Sequence, residues 1–334
     1  VDPTVPPELW ELRKRFLRNQ LGAVEARARM LEGWQPSFDD ESLALYDISA
    51  PFYGREDFKP MLDTLDRLLP PGDGSVSDRY NRYLQQFAIP ADRIEPVMRA
   101  AIEAARASTL KFFKLPEGER FELSLVRDKP WSAYNWYQGQ YVSRIEINTD
   151  QPLTVARAIE LASHEGYPGH HVYNVLLEKH LVRDRGWVEF SVYPLFSPQS
   201  LIAEGTANFG IEVAFPGPAR LEFERTVLFP AAGIDPARAA EYYEVQAMVD
   251  RLAYAGNEAA RRYLNGEIDA ARAGAWLERY ALMSPERAKQ RVRFFDQYRS
   301  YVINYNLGKD MVARSIEGQG GTASNADRRW ELFE

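Results

Sequence analysis

The chain has no cysteine, which excludes disulfides and thiolate ligands, so any metal must be held by nitrogen and oxygen donors. Histidine is scarce as well, with four in 334 residues. No apolar run approaches the ~20 residues of a membrane span, and no signal-peptide pattern is visible. Basic residues never form a long run, and the formal net charge is −7 with both signs mixed throughout. That balance argues against nucleic acid or an anionic membrane as partner. There is no internal repeat or low-complexity segment. A chain of this length buries a large core, as one compact unit or as two lobes around a cleft. The oligomeric state stays open. A cytoplasmic location is the expectation, or a periplasmic one if a leader once preceded Val1.

Against these absences one segment stands out. Ser163-His-Glu-Gly-Tyr-Pro-Gly-His-His171 holds three of the four histidines, with a glutamate beside the first. A His-Glu pair followed closely by another His is how zinc hydrolases place two imidazole ligands and a general base. The usual HExxH spacing sets its histidines four apart on one helical face. Here His164 and His170 are six apart. At about 100° per residue, a regular helix turns His170 about 240° away from His164. His171 returns to nearly the same face but about 10 Å further along the axis. Neither shares an ion with His164 unless the helix is distorted. Pro168 supplies the distortion, since it has no N–H for the His164 carbonyl, and Gly169 is free to take backbone angles closed to other residues. A bulge that absorbs two residues returns His170 to the ligand position. His170 is therefore favoured over His171, which is left as a substrate-binding or supporting group, or as the ligand if the bulge has another shape. Glu165 is the expected general base. His180 reads as a satisfied core histidine.

A second block fits the first. Glu204, Asn208 and Glu212 repeat every four residues, with small or apolar residues between them, as on a helix packed inside the protein. A carboxylate there is costly unless paired or bound to a metal. Glu204 as third ligand completes a His2Glu zinc site with one open position. Asn208 and Glu212 are then candidates to orient the histidines.

The string HEGYPGHH resembles the HExxPGHH signature of the bacterial domain-of-unknown-function family 885, whose members are mostly helical and taken to be zinc peptidases of the gluzincin type. Leu201-Ile-Ala-Glu-Gly-Thr-Ala-Asn-Phe-Gly-Ile-Glu212 resembles that family's EGWAxYxE block, and Tyr305-Asn-Leu-Gly308 is similar to its YKIG segment. The likeness covers roughly residues 120–315; Thr206 stands where the family usually has Trp, and the chain is shorter than typical members. The resemblance implies a peptide substrate, Zn2+ as cofactor and a sheet edge that holds the substrate by strand addition. It also singles out Tyr305, with Tyr301 behind it, as donor to the developing oxyanion. Tyr298, Tyr301 and Tyr305 sit at helical spacing, which is equally the pattern of core packing. Arg299 is a candidate for a bidentate contact to a substrate carboxylate, and Tyr167 for reaching the site from inside the bulge. A zinc hydrolase of another amide or ester, or a metal-binding protein without turnover, are the competing readings.

The rest of the chain predicts a mainly α protein with a small antiparallel β-sheet (α+β). Residues 8–33 read as one amphipathic helix whose apolar stripe is Leu9, Leu12, Phe16, Leu21, Val24 and Met30. Another helix is expected over 91–114. Strands are expected over 121–126, 132–137 and 141–148, with Gln138-Gly-Gln140 as a turn. Helices follow over 152–180, broken at Pro168-Gly169, then around Glu204 and up to Phe215-Pro-Gly-Pro218, then over 235–264, 267–280 and 284–306. This divides into an N-terminal helical region 1–118, a catalytic region 119–315 and a C-terminal tail 316–334 with a Gly-rich loop.

Overall fold

Helices dominate this computed structural model, which describes residues 6–129 and 131–334. The long first helix spans Pro7–Leu31, close to the expected limits. Its buried face is not the apolar stripe: Gln20, Ala23 and Ala26 are buried, whereas Leu12, Leu21 and Val24 are about half exposed or more. Small residues let this helix lie close to its neighbours, and close approach won over the larger apolar side chains. The second expected helix is Ile94–Thr109, entered through one tight turn at Ala91–Arg93.

Three strands follow: β1 (Arg120–Val126), β2 (Ala133–Tyr137) and β3 (Val142–Asn148). The sheet order is β1-β3-β2, and the expectation of an antiparallel sheet holds only for β2 and β3, since β1 runs parallel to β3. Period-two alternation marks strands but carries no direction. The β1–β2 connection passes across the end of β3, where the Asn148 amide donates to the carbonyls of Lys129 and Trp131, both at 2.9 Å. The β2–β3 hairpin turns where expected, with Gly139 at φ 77° and Gln140 and Tyr141 also at positive φ.

Thr154 caps the motif helix, which begins as Val155–Leu161. Glu204 lies on the helix Pro198–Ala214, which stops before Pro216-Gly-Pro218. The 235–264 stretch is two helices, Ala239–Asp250 and Ala255–Leu264. The 267–280 helix begins at Ala270, capped by Asp269. The 284–306 stretch is also divided, into Pro285–Tyr298, a tight turn Arg299–Val302 and the helix Ile303–Gly318. Buried Glu41 makes that corner by accepting from Arg299 Nε, Ser300 N and Ser300 Oγ.

A single cluster of buried apolar side chains runs from Ala26 to Trp330, so the N-terminal helices and the motif region share one core. The last residues belong to it. Ala326–Phe333 is a helix whose Trp330 is buried and stacks on Phe112, so 316–334 is a packed closing element and not a tail. Among the described residues no helix is long and apolar enough to cross a membrane.

Candidate metal centre

After Leu161 the motif helix widens into a π-helical turn, Ala162–Gly166. Tyr167 N bonds the carbonyl five residues back, at Ala162, and Gly169 N reaches Ser163 O at 2.9 Å. Helical structure resumes at His170. This is the two-residue absorption that the spacing required. Gly169 is needed for the reason expected and for a second one: its ψ is −137° at φ −73°, and a Cβ there would lie 2.0 Å from the His164 carbonyl oxygen. A backbone angle that other residues seldom adopt and a close approach together demand the glycine.

The turn brings His164 and His170 together, their rings 4.6 Å apart and nearly perpendicular. His164 Nε2 lies 3.3 Å from Glu204 Oε2, and His170 Nε2 lies 3.5 Å from Glu204 Oε1. In a tetrahedral site with bonds of about 2.0–2.1 Å, neighbouring ligand atoms stand about 3.3 Å apart. Glu204 Oε2 is buried and, among the described residues, receives no hydrogen bond. A buried carboxylate oxygen that takes no hydrogen bond and faces an imidazole is a costly arrangement without a cation. The donor set therefore fits zinc. Glu165 also falls within 4.8 Å of both imidazoles, but its Oε1 is 3.9 Å from His164 Nε2, so Glu204 is the better third ligand.

The surroundings hold these donors in place. The Asn208 Oδ1 lies 3.2 Å from His164 Nδ1, and its Nδ2 donates to the carbonyls of Glu204 and Tyr305. With Nδ1–H donated to Asn208, the Nε2 lone pair of His164 faces Glu204. The Tyr301 hydroxyl donates to Glu204 Oε1 at 2.7 Å, which makes it a brace for that carboxylate rather than an oxyanion donor. Tyr305 keeps the other expected role within reach. Its ring is 6.5 Å from that of His164, and its hydroxyl is not engaged by another described residue. Burial and the Glu204 charge hold the Tyr305 proton more firmly than usual.

Electrostatics separate the two carboxylates. Burial opposes ionisation of Glu204, but His170 and His164 outweigh it and hold the carboxyl well below the usual range. Burial raises Glu165, the Glu204 charge adds to that, and the imidazoles oppose it. His170 is pulled down by burial, yet Glu204 more than compensates and leaves it raised. Glu165 has a buried side chain, and its carboxylate takes no hydrogen bond from a described residue. Its backbone carbonyl accepts from the Asn135 amide at 2.7 Å, which ties β2 to the motif turn.

Other candidates lie elsewhere. His171 is fully buried and turned away, with Nδ1 2.7 Å from Ser143 Oγ and Nε2 2.8 Å from Glu119 Oε1. Glu119 also accepts from Arg106 and from the Tyr167 hydroxyl, so Tyr167 belongs to this second network and not to the metal centre. Ser143, His171 and Glu119 have the residue types of a nucleophile triad, but burial shuts them from any substrate. Glu212 pairs with Lys309 at 2.7 Å, two turns from Glu204, and orients no histidine. Arg299 is held by Glu41 and is not free for a substrate carboxylate. His180 is exposed and pairs with Asp184, not packed in the core, because a second wide turn at Leu177–Arg183 carries it to the surface. Glu119, Ser143 and Asn135 were not singled out from the sequence. Their bonds to the motif segment span 28 to 52 residues and are matched only by the fold.

No family model matches the chain, and no curated protein matches it. A solved structure from Colwellia psychrerythraea, provisionally described as a lipoprotein, matches with a TM-score of 0.58 at 13% identity, over 89% of this chain and 52% of that one. At that identity the likeness is one of fold alone, and the chain spans about half the length of this neighbour.

Proposed function

We propose that this protein is a zinc-dependent peptidase of the gluzincin type, related to the domain-of-unknown-function family 885. The observation that carries the reading is the buried Glu204 carboxylate, its Oε2 facing His164 without a hydrogen bond and its Oε1 facing His170, with Glu165 beside them. A purely structural metal site needs ligands but no such base. The motif segments behind the family resemblance, HEGYPGHH, Glu204–Glu212 and Tyr305–Gly308, supply the three ligands, the base, Asn208 and Tyr305.

His164, His170 and Glu204 would hold the ion, which supplies Lewis acidity toward water and toward the carbonyl to be cleaved. Glu165 accepts a proton from the attacking water at a carboxylate oxygen and delivers it to the departing amine nitrogen. Its raised affinity for a proton suits both halves of that exchange. The Tyr305 hydroxyl donates to the oxyanion that forms on the substrate carbonyl. Asn208 fixes the His164 ring, and Tyr301 fixes the Glu204 carboxylate.

Strand β2 lies at a sheet edge. Gln138 N bonds Val142 O, and Asn148 N bonds Ser132 O, so alternation leaves the backbone groups of Ala133, Asn135 and Tyr137 on the free side. An extended peptide added there would run beside the Glu165 turn, to which Asn135 is bonded. Thr206, which replaces the family's Trp, lines an apolar recess with Pro168, Val172 and Phe333.

For location, the cytoplasm remains our reading from the sequence, and the lipoprotein description of the structural neighbour favours export instead; fractionation of the native host separates the two. For function, metal analysis paired with a peptide-library digest is the test. Zinc near one equivalent and cleavage lowered by about 100-fold or more in Glu165→Gln support the reading. A protein that retains no zinc, or a Glu165→Gln variant as active as wild type, defeats it.

A further inference from the structure

The helix Pro285–Tyr298 carries a guanidinium that no described residue pairs with by hydrogen bond or salt bridge. Arg291 lies with its Cζ 4.6 Å from the ring centre of Phe294, 5.7 Å from that of Phe295 and 5.6 Å from that of Tyr305. No described residue pairs with it by hydrogen bond or salt bridge, and its Nε is buried without a partner. The terminal nitrogens are unpaired too, and they open to solvent. Burial pulls the Arg291 pKa down, with Arg287 and Arg157 pressing the same way and only Tyr305 opposing. Among the described residues no carboxylate pairs with it. Arg287, one helical turn earlier, likewise has no side-chain partner among the described residues, whereas Arg157 pairs with Glu160. A planar fork held against aromatic faces with its edge free is suited to a bidentate carboxylate contact. A guanidinium with a buried, unpartnered Nε is otherwise a cost to the fold.

Arg291 also lies close to the metal centre. Its Cζ is 5.6 Å from the Tyr305 ring, and that ring is 6.5 Å from the His164 ring. The two steps bound the Arg291–His164 separation at about 12 Å, which an extended chain of about three residues spans. A carboxylate received there lies within a few residues of the bond held at the metal centre. A peptide's own C-terminus meets that condition whatever its side chains.

We propose that Arg291, with Arg287 beside it, receives the C-terminal carboxylate of the peptide substrate, so that the enzyme removes residues from the C-terminus. This rests on the peptidase reading above. It gives Arg291 the part that the sequence assigns to Arg299, which Glu41 holds instead.

The test uses zinc-loaded protein and N-acetylated peptides identical except for a free acid or an amide at the C-terminus. A third peptide carries a C-terminal amide and an aspartate side chain near the end. Mass spectrometry should show release from the C-terminus of the free acid, with kcat/KM for the amide lower by about tenfold to a hundredfold, the range of a charge-assisted hydrogen bond. Arg291→Gln should bring the acid-to-amide ratio near one. Arg291→Lys keeps the charge without the fork and should lie between. Thermal melts of both variants establish that they fold. Equal cleavage of acid and amide, or a ratio unchanged in folded Arg291→Gln, overturns the proposal. Preference for the aspartate peptide with the same dependence on Arg291 overturns it too, in favour of side-chain recognition.

Calorimetry with Glu165→Gln reads the carboxylate site without turnover. The acid should bind at least tenfold more tightly than the amide, and Arg291→Gln added to that background should erase the difference. If wild type cleaves nothing yet this preference is present, the peptidase reading falls and the carboxylate site stands. Equal binding of acid and amide overturns the carboxylate site whatever the cleavage result.

Discussion

Gly205 and Gly308 meet backbone to backbone: a Cβ on Gly205 would lie 2.4 Å from the Gly308 carbonyl oxygen, and one on Gly308 would lie 2.5 Å from the Leu201 carbonyl oxygen. This contact sets the crossing of the helices Pro198–Ala214 and Ile303–Gly318, and each carries a site residue close by. Glu204 precedes one glycine, and Tyr305 stands three residues before the other. The separation of carboxylate and hydroxyl is thus fixed by two residues without side chains.

Gly308→Ala should therefore destabilise the protein by about 1–3 kcal/mol, the usual cost of overpacking, and should lower zinc affinity as the helices part. Thermal melts with and without zinc measure both effects. An unchanged melting temperature would mean that the crossing is not close.

Tyr301→Phe removes only the hydroxyl that donates to Glu204 Oε1. Partners of this kind are worth about 10–100-fold in metal affinity. Competition with a chelator should show a loss in that range with the fold retained, and Asn208→Ala should behave alike through His164. Tyr305→Phe should instead leave zinc binding near wild type and lower kcat by about 100-fold or more, as for loss of one oxyanion donor.

Glu165→Gln should bind zinc as wild type does, because the proposed ligand set, His164, His170 and Glu204, leaves Glu165 out. Its kcat should fall by about 10²–10⁴, the contribution of general acid–base catalysis. Steady-state kinetics on a cleaved peptide, beside metal analysis of the same sample, checks the pair.

The buried network behind the site has a pH signature. Burial raises the Glu119 carboxyl, but bonds from His171, Tyr167 and Arg106 prevail and bring it down to about 2. A depressed folded-state pKa contributes stability that is fully present above the ordinary value of 4.5 and is lost as pH falls toward 2. The melting temperature of wild type should therefore drop between those limits more steeply than that of Glu119→Gln. Parallel pH profiles would contradict the assignment. Ser143→Ala leaves one His171 nitrogen unpaired and should cost about 1–3 kcal/mol at neutral pH.

Much of the centre was legible in the sequence because its parts are local. Pro168 and Gly169 forced a distortion that only a two-residue bulge resolves, and the period of four linked Glu204 to Asn208. The same period misplaced Glu212, since two turns along the helix it has passed the histidines and meets Lys309. Tyr301 and Arg299 were placed on a continuous helix. Glu41, more than 250 residues earlier, breaks that helix and takes Arg299 with it. Period two revealed three strands but not that β1 runs parallel to β3, because direction depends on the crossing pinned by Asn148. The apolar stripe of the first helix misled for the opposite reason. The fold buries the small residues there and leaves Leu12, Leu21 and Val24 outside.

We propose that the π-helical turn delivers His170, and not His171, to an ion shared with His164 and Glu204. A crystal of the zinc-loaded protein, with the metal located by anomalous scattering, tests it directly. One zinc is expected within about 2.0–2.2 Å of His164 Nε2, His170 Nε2 and a Glu204 oxygen, with His171 still bonded to Ser143 and Glu119. Zinc coordinated by His171, or no zinc between the imidazoles at saturating metal, would contradict it.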